Sequence, residues 1–113
     1  MSGKQFEIWL ADLSPRFGTE AGKTRPVLII QSDMLNKIHP STIICPITRN
    51  VKKGVSILRV NLLNGAGGLN KDSAIMIDQI RAIDNKRLIK RMGMLPPSEA
   101  ATVIGNLKII MDL

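Results

Sequence analysis

The chain has 113 residues, which is enough for one domain with a single hydrophobic core but not for two. Sixteen Lys and Arg residues against nine Asp and Glu residues give a net charge of +7, and the sequence pI is about 10.1. The hydrophobic fraction of 44% is ordinary for a globular protein and argues against disorder. The charge favours a polyanionic partner such as nucleic acid, an anionic membrane or an acidic protein.

Short apolar runs separated by Gly, Pro, Asn and Ser predict a series of strands. The predicted strands cover residues 7–13, 27–31, 42–48, 55–63, 73–83 and 91–94. Short helical segments are predicted at residues 34–37 and 84–90, and loops at residues 14–24, 49–54 and 64–72. Pro46 lacks the amide that a ladder needs, so the third strand should have an edge or a bulge there.

The clearest helical pattern lies in residues 97–113. Pro97 suits the first turn of a helix, and Glu99 complements the positive end of its dipole. Apolar residues then recur at helical spacing, at Ala100, Val103, Ile104, Leu107 and Ile110. The elements predict one mainly β domain over residues 1–113, a small and strongly curved antiparallel sheet with a C-terminal helix on it.

Several features of the sequence exclude whole classes of protein. The first 13 residues have no apolar segment, so they do not form a signal peptide, and no apolar run is long enough to span a bilayer. The single cysteine, Cys45, permits no internal disulfide and reads as a small core residue in a reducing cytoplasm. We therefore expect a cytoplasmic protein without membrane contact.

Metal and cofactor sites are also not predicted. The only histidine, His39, precedes a proline in a loop, and no Cys, His or carboxylate cluster has the spacing of metal ligands. The glycine-rich segment 65–68 lacks the Lys and the strand-to-helix context of a phosphate-binding loop. These observations argue against a metal-dependent nuclease and against an NTPase.

The residues with the strongest chemical character are arginine, threonine and an acid–amide pair. Arg25 follows a Gly-containing loop and precedes a proline and an apolar strand, so its guanidinium should lie at the mouth of a buried strand, where it can meet a phosphate. Thr48 closes the third strand. Asp78 and Gln79 interrupt an apolar strand, on which Gln79 and Arg81 would share a face while Asp78 would point to the other.

Each of these side chains also has a purely structural interpretation. Arg25 could pair with Glu20 or Asp33, and the Thr48 hydroxyl could stabilise a turn at the strand end. The residues are informative only in combination.

In combination they resemble the MazF/PemK toxins of bacterial toxin–antitoxin systems. The similar segments, in the same order and at similar spacing, are EIW at 7–9, GTE at 18–20, TRPVLII at 24–30, PIT at 46–48 and DQIR at 78–81. The resemblance implies an SH3-like barrel, a homodimer and a sequence-specific, metal-independent endoribonuclease for single-stranded RNA. It also implies products with a 2′,3′-cyclic phosphate and a 5′-hydroxyl, inhibition of translation and growth, and silencing by an acidic, partly disordered antitoxin.

The resemblance also assigns roles to residues. One branch of the family has a loop histidine where Thr19 lies and an arginine where Met76 lies, and this chain has neither. The branch that relies on an arginine and a threonine maps onto Arg25 and Thr48, with Glu20 or a positioned water as the base.

RNA binding is expected to involve ten residues, several of which are basic and flank the catalytic pair in two loops. They are Arg16, Phe17, Thr19, Lys23, Arg49, Lys52, Lys53, Asp78, Gln79 and Arg81. Phe17 has two interpretations, since it could stack on a splayed base or plug the mouth of the barrel. For the lysines, a solvated basic surface is the alternative.

Two other functions fit the same barrel. A DNA gyrase poison of the CcdB type acts through a C-terminal helix that ends in Trp-Gly-Ile, whereas this chain ends in residues 110–113, IMDL, and its only tryptophan is Trp9. The second alternative, a non-catalytic barrel that binds RNA, would need only the positive net charge of the chain. Cleavage of an RNA oligonucleotide in EDTA separates these possibilities.

Overall fold

The computed structural model describes residues 2–15, 18–20, 22–52 and 56–113. In these ranges the chain forms strands β1 (Glu7–Asp12), β2 (Thr24–Ile29), β3 (Ser41–Thr48), β4 (Arg59–Leu62), β5 (Ser73–Met76), β6 (Arg81–Asp84) and β7 (Leu88–Met94). The α-helices are α1 (Asp33–Asn36) and α2 (Pro97–Met111). Short 3₁₀ turns lie at Ala66–Gly68, Ile77–Gln79 and Asn85–Arg87.

The strands form one antiparallel sheet in the order β4-β5-β3-β2-β1-β7, and β6 also pairs with β3. Side chains are buried on both faces, which explains why β2 reads as an unbroken apolar run. On one face Leu28 and Cys45 pack with Val103 of α2, and on the other Trp9, Val27 and Ile44 form a cluster built largely from strands. Burying a side chain such as Val103 stabilises the fold by about 1.5–3 kcal/mol. The predicted mainly β architecture with a C-terminal helix is confirmed.

The two ends of the sheet, at β4 and β7, approach each other at glycine residues. The turn Ala66–Gly68, which follows β4, lies against β7. A Cβ at Gly68 would overlap the Met92 carbonyl oxygen, and a Cβ at Gly93 would overlap the backbone of Gly67. Only residues without a side chain permit this approach of backbone to backbone. The sheet is thus brought round into a barrel-like shape without a β4–β7 ladder in the described part of the chain.

Pro46 lies in an interior strand, and the edge or bulge predicted there takes the form of a gap in the pairing on one side of β3. The amide of Ile30 donates to the carbonyl of Ile43 at 3.0 Å, and the alternation of an antiparallel ladder therefore directs the nitrogen of Pro46 away from β2. On that side β6 pairs with β3 as far as Ile44, and β5 pairs with it from Ile47 onwards. The missing amide falls in the gap between these two partners.

Other predicted bounds also differ from the structure. Residues 73–83 are not one strand, because the turn Ile77–Gln79 separates β5 from β6, which pair with opposite ends of β3. The helix predicted at residues 84–90 is absent from this described segment, since a single 3₁₀ turn leads directly into β7 and its antiparallel pairing with β1 overrides local propensity. The fourth strand is restricted to Arg59–Leu62, and residues 53–55 lie outside the described ranges.

No helix in the described ranges is both long and apolar enough to cross a membrane.

Candidate active site

Arg25 and Thr48, two of the three predicted catalytic residues, line the same cleft. The cleft has a volume of about 610 Å³ and lies where β2 begins and β3 ends. Its other lining residues come from β1, β2, β3 and β7, from the segments beside β2 and β3, and from the loop before β5: Leu10, Lys23, Thr24, Pro26, Ile47, Arg49, Asn50, Asn70 and Met92. Arg25 and Thr48 are both half-buried, so each is held by the fold and still reaches the open space.

The cleft exists because the ladder between β2 and β3 stops early. Val27 pairs with Pro46, and no pair is formed beyond them in the described residues of these strands. The alternation set by Ile30 and Ile43 directs the nitrogen of residue 26 towards β3, and Pro26 has no proton to donate there. From this point β2 continues alongside β1, and β3 continues alongside β5. Arg25 and Thr48 each lie two residues beyond the last pair, opposite each other across the opening.

The guanidinium of Arg25 is oriented by the loop before β2. Its Nε donates a hydrogen bond to the carbonyl oxygen of Gly22 at 2.9 Å. Asp33, one of the two predicted alternative partners of Arg25, is bound by other groups: the amide of Gln5 donates to its carboxylate at 2.7 Å and lowers its pKa, and the side chain of Asn36 lowers it further. Arg25 is thus fixed from one side by a backbone oxygen.

The hydroxyl of Thr48 is also oriented by the backbone. The amide of Asn50 donates to Oγ1 of Thr48 at 3.1 Å, as the predicted turn-forming role requires. A hydroxyl that accepts one hydrogen bond keeps its own proton for donation. The cleft therefore combines a guanidinium and a hydroxyl donor, the groups that suit the oxygens of a phosphodiester.

Basic side chains surround the pair. Lys23 and Arg49 line the cleft and are exposed, and Lys52 is exposed further along the loop after β3. Three predicted RNA-binding residues, Arg16, Phe17 and Lys53, lie outside the described ranges. Three residues of the cleft were not predicted: Asn50, Asn70 and Met92, which reach it from a turn, the glycine-containing loop and β7. The position of Asn70 in a loop of turn residues could have indicated a functional role, whereas nothing in the sequence indicates one for Met92.

The remaining predicted residues meet in a second, smaller depression. Thr19, Glu20, Asp78, Gln79 and Arg81 line it, together with Ile80, and its volume is about 190 Å³. The Gln79 amide donates to the carbonyl of Thr19 at 3.2 Å, which ties the loop before β2 to the turn before β6. The structure thus groups Glu20 with this set and not with the lining of the cleft.

Two charged groups of this depression differ from the sequence interpretation. Asp78 lies in a turn, not on the far face of a strand from Gln79, and forms an ion pair with Arg59 at 2.5 Å. The NH1 atom of Arg81 is buried and has no hydrogen-bond partner among the described residues. Arg81 therefore offers a donor that the described part of the fold does not use.

Neither Cys45 nor His39 belongs to these sites. Burial raises the pKa of the Cys45 thiol to about 12, with a smaller contribution from the charge of Asp78, which confirms it as a core residue. His39 is an exposed loop residue whose ring lies beside the backbone of Ser41. Among the described residues, no three His, Cys, Asp or Glu side chains lie close enough to hold a metal ion.

Comparison with known proteins places the chain in a family. The family described as PemK-like, MazF-like toxin of type II toxin–antitoxin system matches residues 4–111. An endoribonuclease MazF from Staphylococcus epidermidis is 39% identical over 107 residues, which are 95% of this chain and 89% of that protein.

Solved structures agree with the fold. MazF from Deinococcus radiodurans superimposes with a TM-score of 0.86 at 21% identity, and the match covers 100% of this chain and 99% of that one. The Mycobacterium tuberculosis toxin MazF-mt6 gives a TM-score of 0.76 at 25% identity over 95% and 97% of the two chains. A MazE–MazF complex structure from Deinococcus radiodurans contains a chain with a TM-score of 0.80 at 21% identity, covering 100% and 98%. The chain therefore belongs to the PemK-like, MazF-like toxins of type II toxin–antitoxin systems, and it is an endoribonuclease of that family.

Proposed function

We propose that this protein cleaves single-stranded RNA at specific short sequences, without a metal ion, by attack of a 2′-hydroxyl on the adjacent phosphorus. The 2′-oxygen–phosphorus bond forms and the phosphorus–5′-oxygen bond breaks, which leaves a 2′,3′-cyclic phosphate and a 5′-hydroxyl. The observation that carries the proposal is that Arg25 and Thr48 line one open cleft from two diverging strands.

Both residues stabilise the negative charge that the phosphoryl oxygens carry in the transition state. The fork of Arg25 meets two phosphoryl oxygens, and the hydroxyl of Thr48 donates to a non-bridging oxygen. Each preorganised donor of this kind typically contributes about 3 kcal/mol. Arginine is a poor base because its guanidinium stays protonated at neutral pH.

Proton transfer is assigned to other groups. Glu20, on the loop that leads into β2, or a water in the cleft takes the proton of the 2′-hydroxyl, and a water molecule gives a proton to the 5′-oxygen as it leaves. Glu20 lines the second depression, so its participation predicts a measurable loss in Glu20→Gln, whereas a water predicts none.

RNA is bound along the basic rim of the cleft. Lys23, Arg49 and Lys52 contact phosphates in this proposal, and Arg16, Phe17 and Lys53, which lie outside the described ranges, add further contacts. Thr19, Asp78, Gln79 and Arg81 line the second depression and contact the chain of nucleotides beyond the scissile bond.

An acidic, partly disordered antitoxin is the proposed protein partner. The chain carries a net charge of +7, and a basic groove that accepts RNA also accepts an acidic segment that orders on binding. The MazE–MazF structure of Deinococcus radiodurans and a mycobacterial endoribonuclease with its cognate antitoxin are complexes of similarly folded proteins. Translation and growth are inhibited in the cytoplasm when the antitoxin is absent.

A homodimer is proposed from the apolar surface around the C-terminal half of α2. Ile104, Met111 and Leu35 are exposed and surround a groove of about 370 Å³ whose lining is mainly apolar. A contiguous apolar surface of this kind favours association with a second copy.

The proposal is tested with a fluorogenic single-stranded RNA in EDTA, followed by identification of the product ends. Cleavage with a cyclic phosphate and a 5′-hydroxyl supports it. Binding without cleavage by the purified protein supports the RNA-binding barrel instead. Inhibition of DNA gyrase with no action on RNA supports the poison.

A further inference from the structure

The loop before β2 contains a strained residue whose neighbour contacts the arginine of the cleft. Lys23 has a φ of 65°, in the left-handed region that a lysine rarely adopts. Gly22 is buried, and its carbonyl oxygen accepts the hydrogen bond from Nε of Arg25 at 2.9 Å. A rare backbone conformation thus stands directly beside a contact that orients a functional side chain.

The geometry of the backbone connects the two observations. The carbonyl of Lys23 is fixed, because it accepts from the amide of Leu13 at 2.9 Å and so continues the β1–β2 pairing by one step. With that carbonyl held, the φ angle of Lys23 determines where the preceding carbonyl, that of Gly22, points. A φ near −120°, as in an ordinary strand, would rotate the Gly22 carbonyl by about 180° and direct it away from Arg25.

We propose that the left-handed turn at Lys23 is a positioning device that aims the Gly22 carbonyl at Nε of Arg25 and so fixes the plane of the guanidinium for the phosphate. Lys23 in this role acts through Arg25. A bond at Nε sets the plane of the fork while remaining compatible with a bidentate contact from its two terminal nitrogens. The proposal rests on the assignment of Arg25 under the proposed function.

The test compares three substitutions that remove the same charge. Lys23→Gly and Lys23→Asn keep a residue that tolerates positive φ, whereas Lys23→Val introduces a β-branched residue that does not. Any contribution of the ammonium group to RNA binding is lost equally in all three. We expect kcat on a saturating RNA oligonucleotide to be at least about tenfold lower in Lys23→Val than in Lys23→Gly and Lys23→Asn, with similar KM values.

Nuclear magnetic resonance provides a measurement that would not change if Lys23 only stabilised the fold. The Nε–H signal of Arg25, identified by its absence from the spectrum of Arg25→Lys, should exchange slowly with solvent in the Gly and Asn variants and rapidly in the Val variant. The backbone amide spectrum of a folded Lys23→Val should otherwise be retained. If Lys23→Val does not fold, Lys23→Ala, which is penalised less at positive φ, takes its place.

The outcomes are distinguishable. Equal kcat values in folded Val and Gly variants, or an unchanged exchange rate of the Arg25 Nε–H, overturn the positioning role and leave Arg25 as a catalytic residue. Wild-type cleavage by Arg25→Ala overturns the assignment of Arg25 and the positioning role with it.

Discussion

The indole Nε1 of Trp9 donates a hydrogen bond of 3.0 Å to the carboxylate of Glu7, two residues earlier on β1. The amide of Lys4 donates to the same oxygen at 2.7 Å, and Nε of Arg91 on β7 donates to the other oxygen at 2.5 Å. Burial raises the pKa of Glu7, but the hydrogen bonds from Trp9, Lys4 and Arg91 and the charge of Arg91 outweigh it and lower the pKa below 4.5. The carboxylate therefore holds the start of β1 to β7 in its charged form.

This arrangement predicts an acid dependence of stability. The folded carboxylate binds a proton less tightly than the unfolded one, so its contribution is complete above about pH 4.5 and is lost as the pH falls through the lower folded-state pKa. Urea unfolding followed by the fluorescence of Trp9, the only tryptophan, measures the free energy at each pH. Glu7→Gln should reduce stability at pH 7 by about 1–3 kcal/mol and flatten the profile below about pH 5. A slope equal to that of the wild type would contradict this.

Cleavage should depend on both side chains that face each other across the cleft. Arg25→Ala and Thr48→Val should each lower kcat by about 10²–10³-fold, since each removes a preorganised donor, while RNA affinity changes much less. Thr48→Ser keeps the hydroxyl and should retain most of the activity. Single-turnover cleavage and fluorescence anisotropy separate the two effects. Lys86→Ala, which removes one exposed positive charge at the opposite end of β3 from Thr48, is the charge-matched control; an equal loss of kcat there would argue against a local role.

Gly68, which lies against β7, should tolerate a side chain far less well than Gly65 or Gly105. Gly68→Ala should destabilise the protein by more than about 3 kcal/mol, because φ is 80° and the new Cβ would overlap the carbonyl of Met92. At Gly65 φ is 97°, but no atom lies within 4 Å of the position that a new Cβ would take. Gly65→Ala should therefore cost only the strain of the backbone, about 1–2 kcal/mol. Gly105→Ala, within α2 and in open space, should stabilise by about 0.5–1 kcal/mol. Urea midpoints that failed to follow this order would contradict the close approach of the turn and β7.

A buried polar cluster should support stability without supporting catalysis. Asn36 accepts hydrogen bonds from Gln31 at 2.9 Å and from Thr42 at 3.0 Å, and its amide donates to the Gln31 carbonyl at 2.9 Å. Asn36→Ala leaves buried donors unsatisfied and should cost about 2–4 kcal/mol. Since the cluster lies near the start of β3 and Thr48 at its end, kcat of the folded variant at a permissive temperature should equal that of the wild type. A selective loss of kcat would link this cluster to the cleft.

The resemblance pairs Arg25 with Thr48, and both residues do line one cleft. Each stands at one end of an apolar run, which places it near the end of a strand, and their roles in cleavage stay a prediction. The sequence does not reveal the break between β5 and β6 at residues 77–79, because the segment is apolar on both sides of it. The break is explained only by the pairing of β5 and β6 with opposite ends of β3. The predicted length of β7 was too short for a similar reason, because its extension to Leu88 depends on pairing with β1. The backbone contact at Gly22 leaves no trace in composition or spacing.

The residues behind the cleft suggest how the potency of this toxin can change. Arg25 is paired with Ala11 of β1 and Thr48 with Ala74 of β5, and both alanines are fully enclosed in the protein. Substitutions at these two enclosed positions would shift Arg25 and Thr48 without changing any residue that lines the cleft. Under the proposed mechanism, such changes would alter the rate of cleavage and leave the contacts to RNA in place.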